Sequence, residues 1–288
     1  MNQWERNEIR FFRVLTAIAL SLVGVCLVAA LTIGIASRRS RRMADVTVSE
    51  AGAEVQEDAA LGAARVGDDR FLPKTQDMGQ EYIDQMVFVG ESTTAHLRSR
   101  GVLRDGQGTE QVWSDSSGTM TLDLNILQKT ILHPKTRQPL TIAQAAGREK
   151  PRYLVLSFGV NGIVGFSRNE ELYRRAYGKL ITAIHEASPD TVVLLQTVYP
   201  VADNQTVFGE GAVTVNGYIR RINELLPEIA DQYDAYVVDT ASVLCDAQGN
   251  LRMDYQAGDG IHLTAEAYRQ ILQYLRTHGY EGEEGREE

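Results

Sequence analysis

Short apolar runs alternate with longer amphipathic segments from about residue 81 to residue 280. The apolar runs predict buried strands at residues 86–89, 153–158, 191–198 and 235–239, and a short second strand is predicted within a polar segment at residues 111–113. The amphipathic segments predict helices, at about residues 92–100, 169–187, 215–233 and 264–278. Pro227 predicts a kink or break in the third of these helices. Residues 122–147 have no clear period; helix is one interpretation of parts of this segment, and a loop is predicted at His133-Pro134.

Strands separated by helices indicate an α/β fold in which a parallel sheet is covered on both faces. We therefore predict a flavodoxin-like three-layer α/β/α sandwich. In such sheets ligands bind beyond the carboxyl ends of the strands, where the strand order reverses. The first and third strands flank that point in flavodoxin-like order. Ser92 and Asn161 each follow one of these two strands, so we expect them side by side.

The N-terminal part of the chain follows a different pattern. Residues 14–36 carry no charge, and as a helix they would extend roughly 35 Å, enough for a bilayer core of about 30 Å. We predict one transmembrane helix here, because the apolar stretch is long for the alternative, a cleaved signal peptide. The remaining divisions are a short N-terminal tail, a basic then acidic flexible tether, the folded domain and an acidic C-terminal tail, at residues 1–13, 37–80, 81–280 and 281–288.

Charge is distributed unevenly along the chain. The formal net charge is −9, of which residues 1–42 carry +5 and the rest of the chain −14. An acidic folded part argues against nucleic acid as a partner, because phosphate contacts require Lys and Arg. The two cysteines, Cys26 and Cys245, lie in different surroundings, so no disulfide framework is predicted. Arginines flank the predicted span on both sides, and charge alone does not set its orientation.

Two segments carry residues suited to nucleophilic catalysis. Ser92 lies at a strand-to-helix corner, where the backbone N–H groups that open the helix can face an oxyanion. His262 and Asp259, three positions apart on one turn, can supply a base and the carboxylate that orients it. The alternatives are a capping or core role for His262, or a metal site, which no neighbouring Cys, His or Glu cluster completes. We therefore expect no metal and no cofactor. Position 94 is Thr, so the G-x-S-x-G elbow is absent.

Four blocks resemble the SGNH (GDSL-type) hydrolase superfamily, and they are Gly90-Glu91-Ser92, Gly118, Gly159-x-Asn161 and Asp259-x-x-His262. The blocks occur in the expected order across about residues 82–278. The resemblance implies Ser92 as nucleophile, His262 as base and Asp259 as the carboxylate that orients the base. It also implies an oxyanion hole from the Ser92 and Gly118 backbone N–H groups and the Asn161 side chain.

The chain departs from the family pattern at two positions. The usual Gly-Asp-Ser is Gly-Glu-Ser here, and the usual Gly-x-Asn-Asp ends in Gly162. Glu91 is one methylene longer than Asp, and we expect it to order the turn by hydrogen bonding. Asn161 has an alternative role as an ordinary turn residue after a strand.

The other candidate residues have weaker support. Trp113 is a candidate for stacking on a sugar ring in the substrate, although a role in the core is favoured. Four histidines lack a suitably spaced acid and are interpreted as surface or structural residues, namely His96, His133, His185 and His278.

The combined hypothesis is a single-pass membrane protein whose serine esterase domain lies outside the cytoplasmic membrane. Its partners would be the membrane, through residues 14–36, and an ester substrate. The expected reaction is hydrolysis of O-acyl esters, acetyl esters first among them, on cell-wall or other polysaccharide through an acyl-enzyme. Two alternatives stay open: an acyltransferase that uses the same residues to acylate a glycan, and an inactive glycan-binding or scaffold module.

Overall fold

The computed structural model describes residues 68–203, 206–207 and 209–282. In chain order the strands of these residues are β1 (Met86–Gly90), β2 (Val112–Trp113), β3 (Thr130–Leu132), β4 (Pro139–Thr141), β5 (Tyr153–Ser157), β6 (Val192–Gln196), β7 (Thr206–Val207), β8 (Glu210–Gly211) and β9 (Tyr236–Val238). The α-helices are α1 (Gly79–Asp84), α2 (Ser92–Ser99), α3 (Ile142–Glu149), α4 (Ile163–Arg168), α5 (Glu170–Ala187), α6 (Ala212–Asn223), α7 (Leu226–Gln232) and α8 (Ala265–Arg276).

The main sheet is parallel and has the order β2-β1-β5-β6-β9. This is the predicted flavodoxin-like order, with the reversal between β1 and β5, the first and third strands of the sheet. The two strands pair from Met86 opposite Tyr153 to Gly90 opposite Ser157, so they end at the same edge. The segments that follow them, with Ser92 and Asn161, therefore leave the sheet as neighbours.

Side chains alternate between the two faces of the sheet and build a separate core on each face. On β5, Leu154 and Leu156 pack on one face, whereas Tyr153 and Val155 pack on the other. Residues of α3, α4, α5, α6 and α7 complete the first core, and residues of α1, α2 and α8 complete the second. The predicted α/β/α layering is confirmed.

The helix predicted at residues 215–233 is in fact two helices, α6 and α7. Pro227 lies in the first turn of α7, where a missing N–H removes no intrahelical hydrogen bond. The chain therefore leaves the first helix after Asn223 and starts a new one at Leu226, with the proline in its first turn.

Residues 122–147, which show no period in the sequence, contain a small hairpin and the start of α3. Strands β3 and β4 pair antiparallel outside the main sheet, with three residues each. Thr141 then begins α3 with a capping box: its side chain accepts from the Gln144 N–H, and the Gln144 side chain accepts from the Thr141 N–H. Strands this short leave too few residues for an alternating pattern to appear.

The folded chain starts earlier than the predicted tether boundary at residue 80. Phe71 forms a parallel bridge with Val237 of β9, and the Leu72 N–H donates to the Val237 carbonyl at 2.9 Å. Leu72 is buried in the second core. The boundary is corrected to a position before Phe71, because these two apolar residues extend the edge of the sheet.

The other predictions for the termini fall on residues outside the described ranges. These are the tail at 1–13, the span at 14–36, most of the tether and most of the C-terminal tail. Among the described residues, no helix is both long enough and apolar enough to cross a membrane.

Candidate active site

Ser92 is the first residue of α2, at the turn that follows β1. The turn is tight at Gly90, where a Cβ would lie 2.2 Å from the Ser157 carbonyl oxygen and 2.3 Å from Thr94 Oγ1. A side chain at this position would displace either the neighbouring strand or the helix. The first N–H groups of α2 have no acceptor within the helix, and they open at the carboxyl edge of the sheet.

Ser92, His262 and Asp259 form a chain of hydrogen bonds. Ser92 Oγ lies 2.9 Å from His262 Nε2, and His262 Nδ1 lies 2.5 Å from Asp259 Oδ2. With the imidazole proton on Nδ1, Nδ1–H donates to the carboxylate and Nε2 is left to accept from the serine hydroxyl. The structure thus brings together three predicted residues, although the serine and the histidine are 170 positions apart.

The loop that carries Asp259 and His262 is held by its own backbone. Asp259 Oδ1 accepts from the Ile261 N–H at 3.0 Å and from the His262 N–H at 2.9 Å. This Asx-type turn leaves Oδ2 for the imidazole, which explains why a spacing of three residues suffices. The Gly260 carbonyl accepts from the Ala202 N–H at 2.9 Å and ties the loop to the chain beyond β6.

The Asp259 carboxylate is ionised although it is partly buried. Burial would raise the pKa of Asp259, but hydrogen bonds from the His262 side chain and from the backbone N–H groups of His262 and Ile261 lower it to about 2. An ionised carboxylate next to Nδ1 favours the imidazolium that forms when His262 takes a proton.

Helix α8 connects the histidine loop to the nucleophile helix. It begins just after the loop, at Ala265, and is capped by Thr264, whose side chain accepts from the Ala267 N–H at 3.3 Å. The Tyr268 hydroxyl donates to the Thr93 carbonyl at 2.5 Å. The helix that follows His262 is thereby fastened to the residue that follows Ser92.

Asn161 follows β5 at the same edge of the sheet. The chain reaches it through Gly159, whose φ is 148° and whose Cβ would lie 2.5 Å from Val198 Cγ2. Among the described residues the Asn161 carboxamide makes no hydrogen bond. Its N–H donors are therefore uncommitted at the point where an oxyanion donor is expected.

Gly118 lies in the loop after β2, and it packs on the nucleophile helix. A Cβ on Gly118 would lie 3.2 Å from Ala95 Cβ. The Gly118 N–H donates to the Asp115 carbonyl at 3.2 Å. An oxyanion role for this N–H requires that the long turn hydrogen bond be shared or released when a substrate binds.

Glu91 reaches across the site instead of folding back on its own turn. Its Oε1 accepts from the Gly159 N–H at 2.5 Å, and its Oε2 accepts from the Asn161 N–H at 2.7 Å. The sequence predicted an ordering role for Glu91 within its turn. The structure extends this role to the loop after β5, because the extra methylene gives the carboxylate the necessary reach.

His96 is a site residue that sequence reasoning missed. Its ring centroid lies 4.4 Å from that of His262, and its Nδ1 is buried without a hydrogen-bond partner in the described part of the chain. Burial lowers the pKa of His96, as do the charges of His262 and Arg100, whereas Asp259 opposes them. Spacing was the available signal, since the fourth residue after Ser92 lies on the same helix face.

Trp113 and His133 are core residues. The indole of Trp113 is 2% exposed and packs in the first core. The sugar-stacking prediction is therefore corrected, because a ring this buried has no free face to offer. His133 is buried as well, and its Nε2 lies 2.8 Å from Glu149 Oε1, a structural pair that the sequence spacing did not reveal.

The arrangement is suited to acyl transfer. A hydroxyl lies against an imidazole, the imidazole lies against an ionised carboxylate, and an uncommitted carboxamide lies across the strand-order reversal. Within the ranges that the structure describes, no group of three or more His, Cys, Asp or Glu side chains is placed to hold a metal ion.

Solved structures resemble this chain at low identity. A GDSL-like lipase from Bacteroides thetaiotaomicron is 16% identical over 68% of this chain and 88% of that one, with a TM-score of 0.43. A phospholipase A1 from Streptomyces albidoflavus is 14% identical over 67% and 98%, with a TM-score of 0.43. A family 3 carbohydrate esterase from Talaromyces cellulolyticus is 15% identical over 66% and 95%, with a TM-score of 0.41.

No curated protein sequence matches the chain. A family model does match it: the GDSL-like lipase/acylhydrolase model covers residues 88–270, more than half of the chain and all four blocks that carry the resemblance. With Ser92, His262 and Asp259 in hydrogen-bonding order inside that range, the chain belongs to the GDSL-like lipase/acylhydrolase family and is an ester-hydrolysing enzyme of the SGNH type.

Proposed function

We propose that the protein is a membrane-anchored serine esterase that removes O-acyl groups, foremost acetyl groups, from a polysaccharide outside the cytoplasmic membrane. The observation that carries the chemistry is the hydrogen-bond chain from Ser92 Oγ through His262 to Asp259. The anchor rests on the uncharged stretch at residues 14–36.

In the proposed mechanism, His262 Nε2 takes the hydroxyl proton as Ser92 Oγ attacks the ester carbonyl. Negative charge moves to the carbonyl oxygen, which the Ser92 N–H and the Asn161 carboxamide stabilise, with Gly118 as a further donor. The imidazolium, which faces Asp259, then gives its proton to the departing alcohol, and an acyl-Ser92 ester remains. Water then attacks that ester while His262 takes its proton, and the imidazolium returns the proton to Ser92 Oγ as the carboxylic acid leaves.

A cavity next to the Gly118 loop, lined mostly by polar side chains together with Met120 and Leu132, supports a hydroxyl-rich substrate. It has a volume of about 390 Å³, and its lining includes residues on both sides of Gly118. Its polar side chains are those of Asp115, Ser116, Thr119, Thr121, Gln128, Lys129 and Thr130. Hydroxyl, amide and ammonium groups of this kind offer hydrogen bonds to a glycan, whereas an apolar lining would suit a long acyl chain.

The direct test uses the full-length chain in detergent, with p-nitrophenyl acetate as substrate and a fluorophosphonate probe as label. We expect hydrolysis and labelling, and Ser92→Ala should abolish labelling and lower kcat/KM by about 10⁴-fold or more. Ser99→Ala, an exposed serine on the same helix, is the matched control and should keep full activity.

Three outcomes would change the proposal. Unchanged activity in Ser92→Ala contradicts the mechanism. Absence of both hydrolysis and labelling favours an inactive glycan-binding module. Transfer of the acyl group to an added acceptor sugar in preference to water favours an acyltransferase. Protease added to intact cells tests the location separately, since an exposed domain is digested and an internal one is protected.

A further inference from the structure

A buried carboxylate connects the two halves of the candidate active site. Glu91 is 2% exposed, and each of its carboxylate oxygens accepts one backbone N–H, from Gly159 and from Asn161. Glu91 immediately precedes Ser92, whereas Gly159 and Asn161 lie 68 and 70 positions away along the chain. One side chain therefore spans the reversal in strand order and joins the serine turn to the Asn161 loop.

The geometry leaves little freedom at either end of this connection. On the serine side, the Glu91 N–H donates to the Ser157 carbonyl, and the Glu91 carbonyl accepts from the Ala95 N–H in the first turn of α2. On the other side, Gly159 is held against Val198. The Asn161 carboxamide has no hydrogen bond of its own among the described residues, so its position depends on how its backbone is held.

The carboxylate is in an environment that does not favour charge. Burial raises the pKa of Glu91 to about 8, against the two backbone N–H groups, which lower it. The titratable groups that face it are Tyr173 and Tyr177 of α5, and both hydroxyls donate to the Phe158 carbonyl. Burying an ionised acid without a paired cation lowers the stability of the fold. The hydrogen bonds from the two backbone N–H groups stabilise the carboxylate in this position.

We propose that Glu91 is a positioning residue of the oxyanion hole, which holds the Asn161 carboxamide at a fixed place relative to Ser92. It touches no substrate and acts through Asn161. This inference rests on the proposed esterase mechanism. It adds the interaction that sets the distance between two oxyanion donors, the Ser92 N–H and the Asn161 carboxamide, which follow different strands.

A double-mutant cycle tests the proposal in the full-length chain with p-nitrophenyl acetate. Glu91→Gln replaces one acceptor oxygen by an NH₂ group that faces a backbone N–H. Above pH 8, where Glu91 is ionised, we expect kcat to fall by about 10-fold to 100-fold, somewhat less than the loss of a whole oxyanion donor, with KM within about twofold. In an Asn161→Ala background the same change should cost less than about threefold, because the residue through which it acts is gone.

The control is Glu171→Gln, an exposed glutamate on α5, which should leave kcat unchanged in both backgrounds. Equal losses from Glu91→Gln with and without Asn161 overturn the proposal, as does a loss that appears in KM alone. Wild-type activity that disappears in Ser92→Ala keeps the esterase mechanism intact in either case. A wild-type chain that neither hydrolyses ester nor reacts with fluorophosphonate removes the mechanism and this inference with it.

A second measurement needs no variant at Glu91 and therefore does not depend on how Glu91→Gln folds. In a neutral Glu91 one of the two carboxyl oxygens carries a proton, so only one of the two backbone N–H groups keeps a fully available acceptor. We expect kcat of the wild type to rise through an ionisation near pH 8, and Asn161→Ala to lack that rise. The same rise in both proteins overturns the proposal.

Discussion

Two carboxylates flank the serine turn, and the chain gives them opposite surroundings. Asp259 lies on a loop with 53% of its side chain exposed, and its oxygens accept from an imidazole and two backbone N–H groups. Glu91 is buried between the serine turn and the Asn161 loop, with two backbone donors and no paired cation among the residues that the structure describes. The pKa of Asp259 falls to about 2, whereas burial raises that of Glu91 to about 8.

This difference in burial and pKa corresponds to two different roles for carboxylates within one site. A carboxylate that must stay charged next to a titrating imidazole is placed where solvent and several donors stabilise the charge. A carboxylate that must hold two backbone segments in place is buried, where water does not compete for its hydrogen bonds, at a cost in desolvation. We expect Asp259 to control the chemistry through charge and Glu91 to control it through geometry.

The largest effect is expected at Asp259. Asp259→Asn keeps the size of the side chain but removes the charge and favours the wrong imidazole tautomer, so kcat should fall by roughly 10²-fold to 10⁴-fold. Steady-state hydrolysis of p-nitrophenyl acetate measures this. Asp254→Asn, which affects an exposed carboxylate paired with Arg252 on the same segment, should stay within about twofold. A loss below about fivefold in Asp259→Asn would show that charge at this position is dispensable.

The next largest effect is expected in the pH dependence of stability, which distinguishes Glu91 from Asp259. Because the pKa of Glu91 is raised to about 8, its contribution is fully present below about pH 4.5 and is lost as the pH rises to 8. The wild type should therefore lose stability relative to Glu91→Gln across this window, with a slope of up to about 1.4 kcal/mol per pH unit. Thermal unfolding of both proteins at several pH values measures the difference.

Asp259 should show the opposite sign in a different window. Its pKa is lowered to about 2, so its stabilising contribution is present above about pH 3.8 and is lost as the pH falls through 2. The effect should be small, because the side chain is half exposed and solvent screens the interaction. Parallel curves for the wild type and Glu91→Gln between pH 5 and 8 would contradict the contrast between the two carboxylates.

The smallest effect is expected at His96, which packs against the base from the nucleophile helix. His96→Ala removes a ring pair of about 1 kcal/mol, so kcat/KM should fall by about threefold to tenfold as His262 loses its orientation. His96→Phe keeps a ring at this position and should stay within about threefold of the wild type. If both variants lose the same activity, the imidazole of His96 has a chemical role and does not act by packing alone.

Local pattern was sufficient for most of the architecture. Each strand of the main sheet is a short apolar run, and the alternation of strands with helices predicts the parallel sheet that the structure contains. The pattern failed at residues 122–147, where three-residue strands show no period, and at Phe71-Leu72, where two residues join the sheet edge. Short elements are stabilised by tertiary contacts, and a window of sequence contains too few of their residues to reveal them.

In the candidate site, too, the local sequence predicts some contacts, and others depend on tertiary packing. The Asp259-x-x-His262 pair is a local turn, so its spacing already predicts that carboxylate and imidazole meet. The fold prediction placed Ser92 and Asn161 at one edge of the sheet, and the strand register bears out that placement. The partners of Glu91, the contact of His96 with His262 and the burial of Trp113 depend on packing between distant segments.

The sequence by itself thus determined the α/β class and the residue types available for ester chemistry, because periodicity and turn spacing are properties of neighbouring residues. Only the tertiary structure decided which carboxylate is exposed and which is buried, and which backbone groups each one holds. The physical reason is that burial and hydrogen-bond partners are set by segments about 70 to 170 positions apart, which no local pattern encodes.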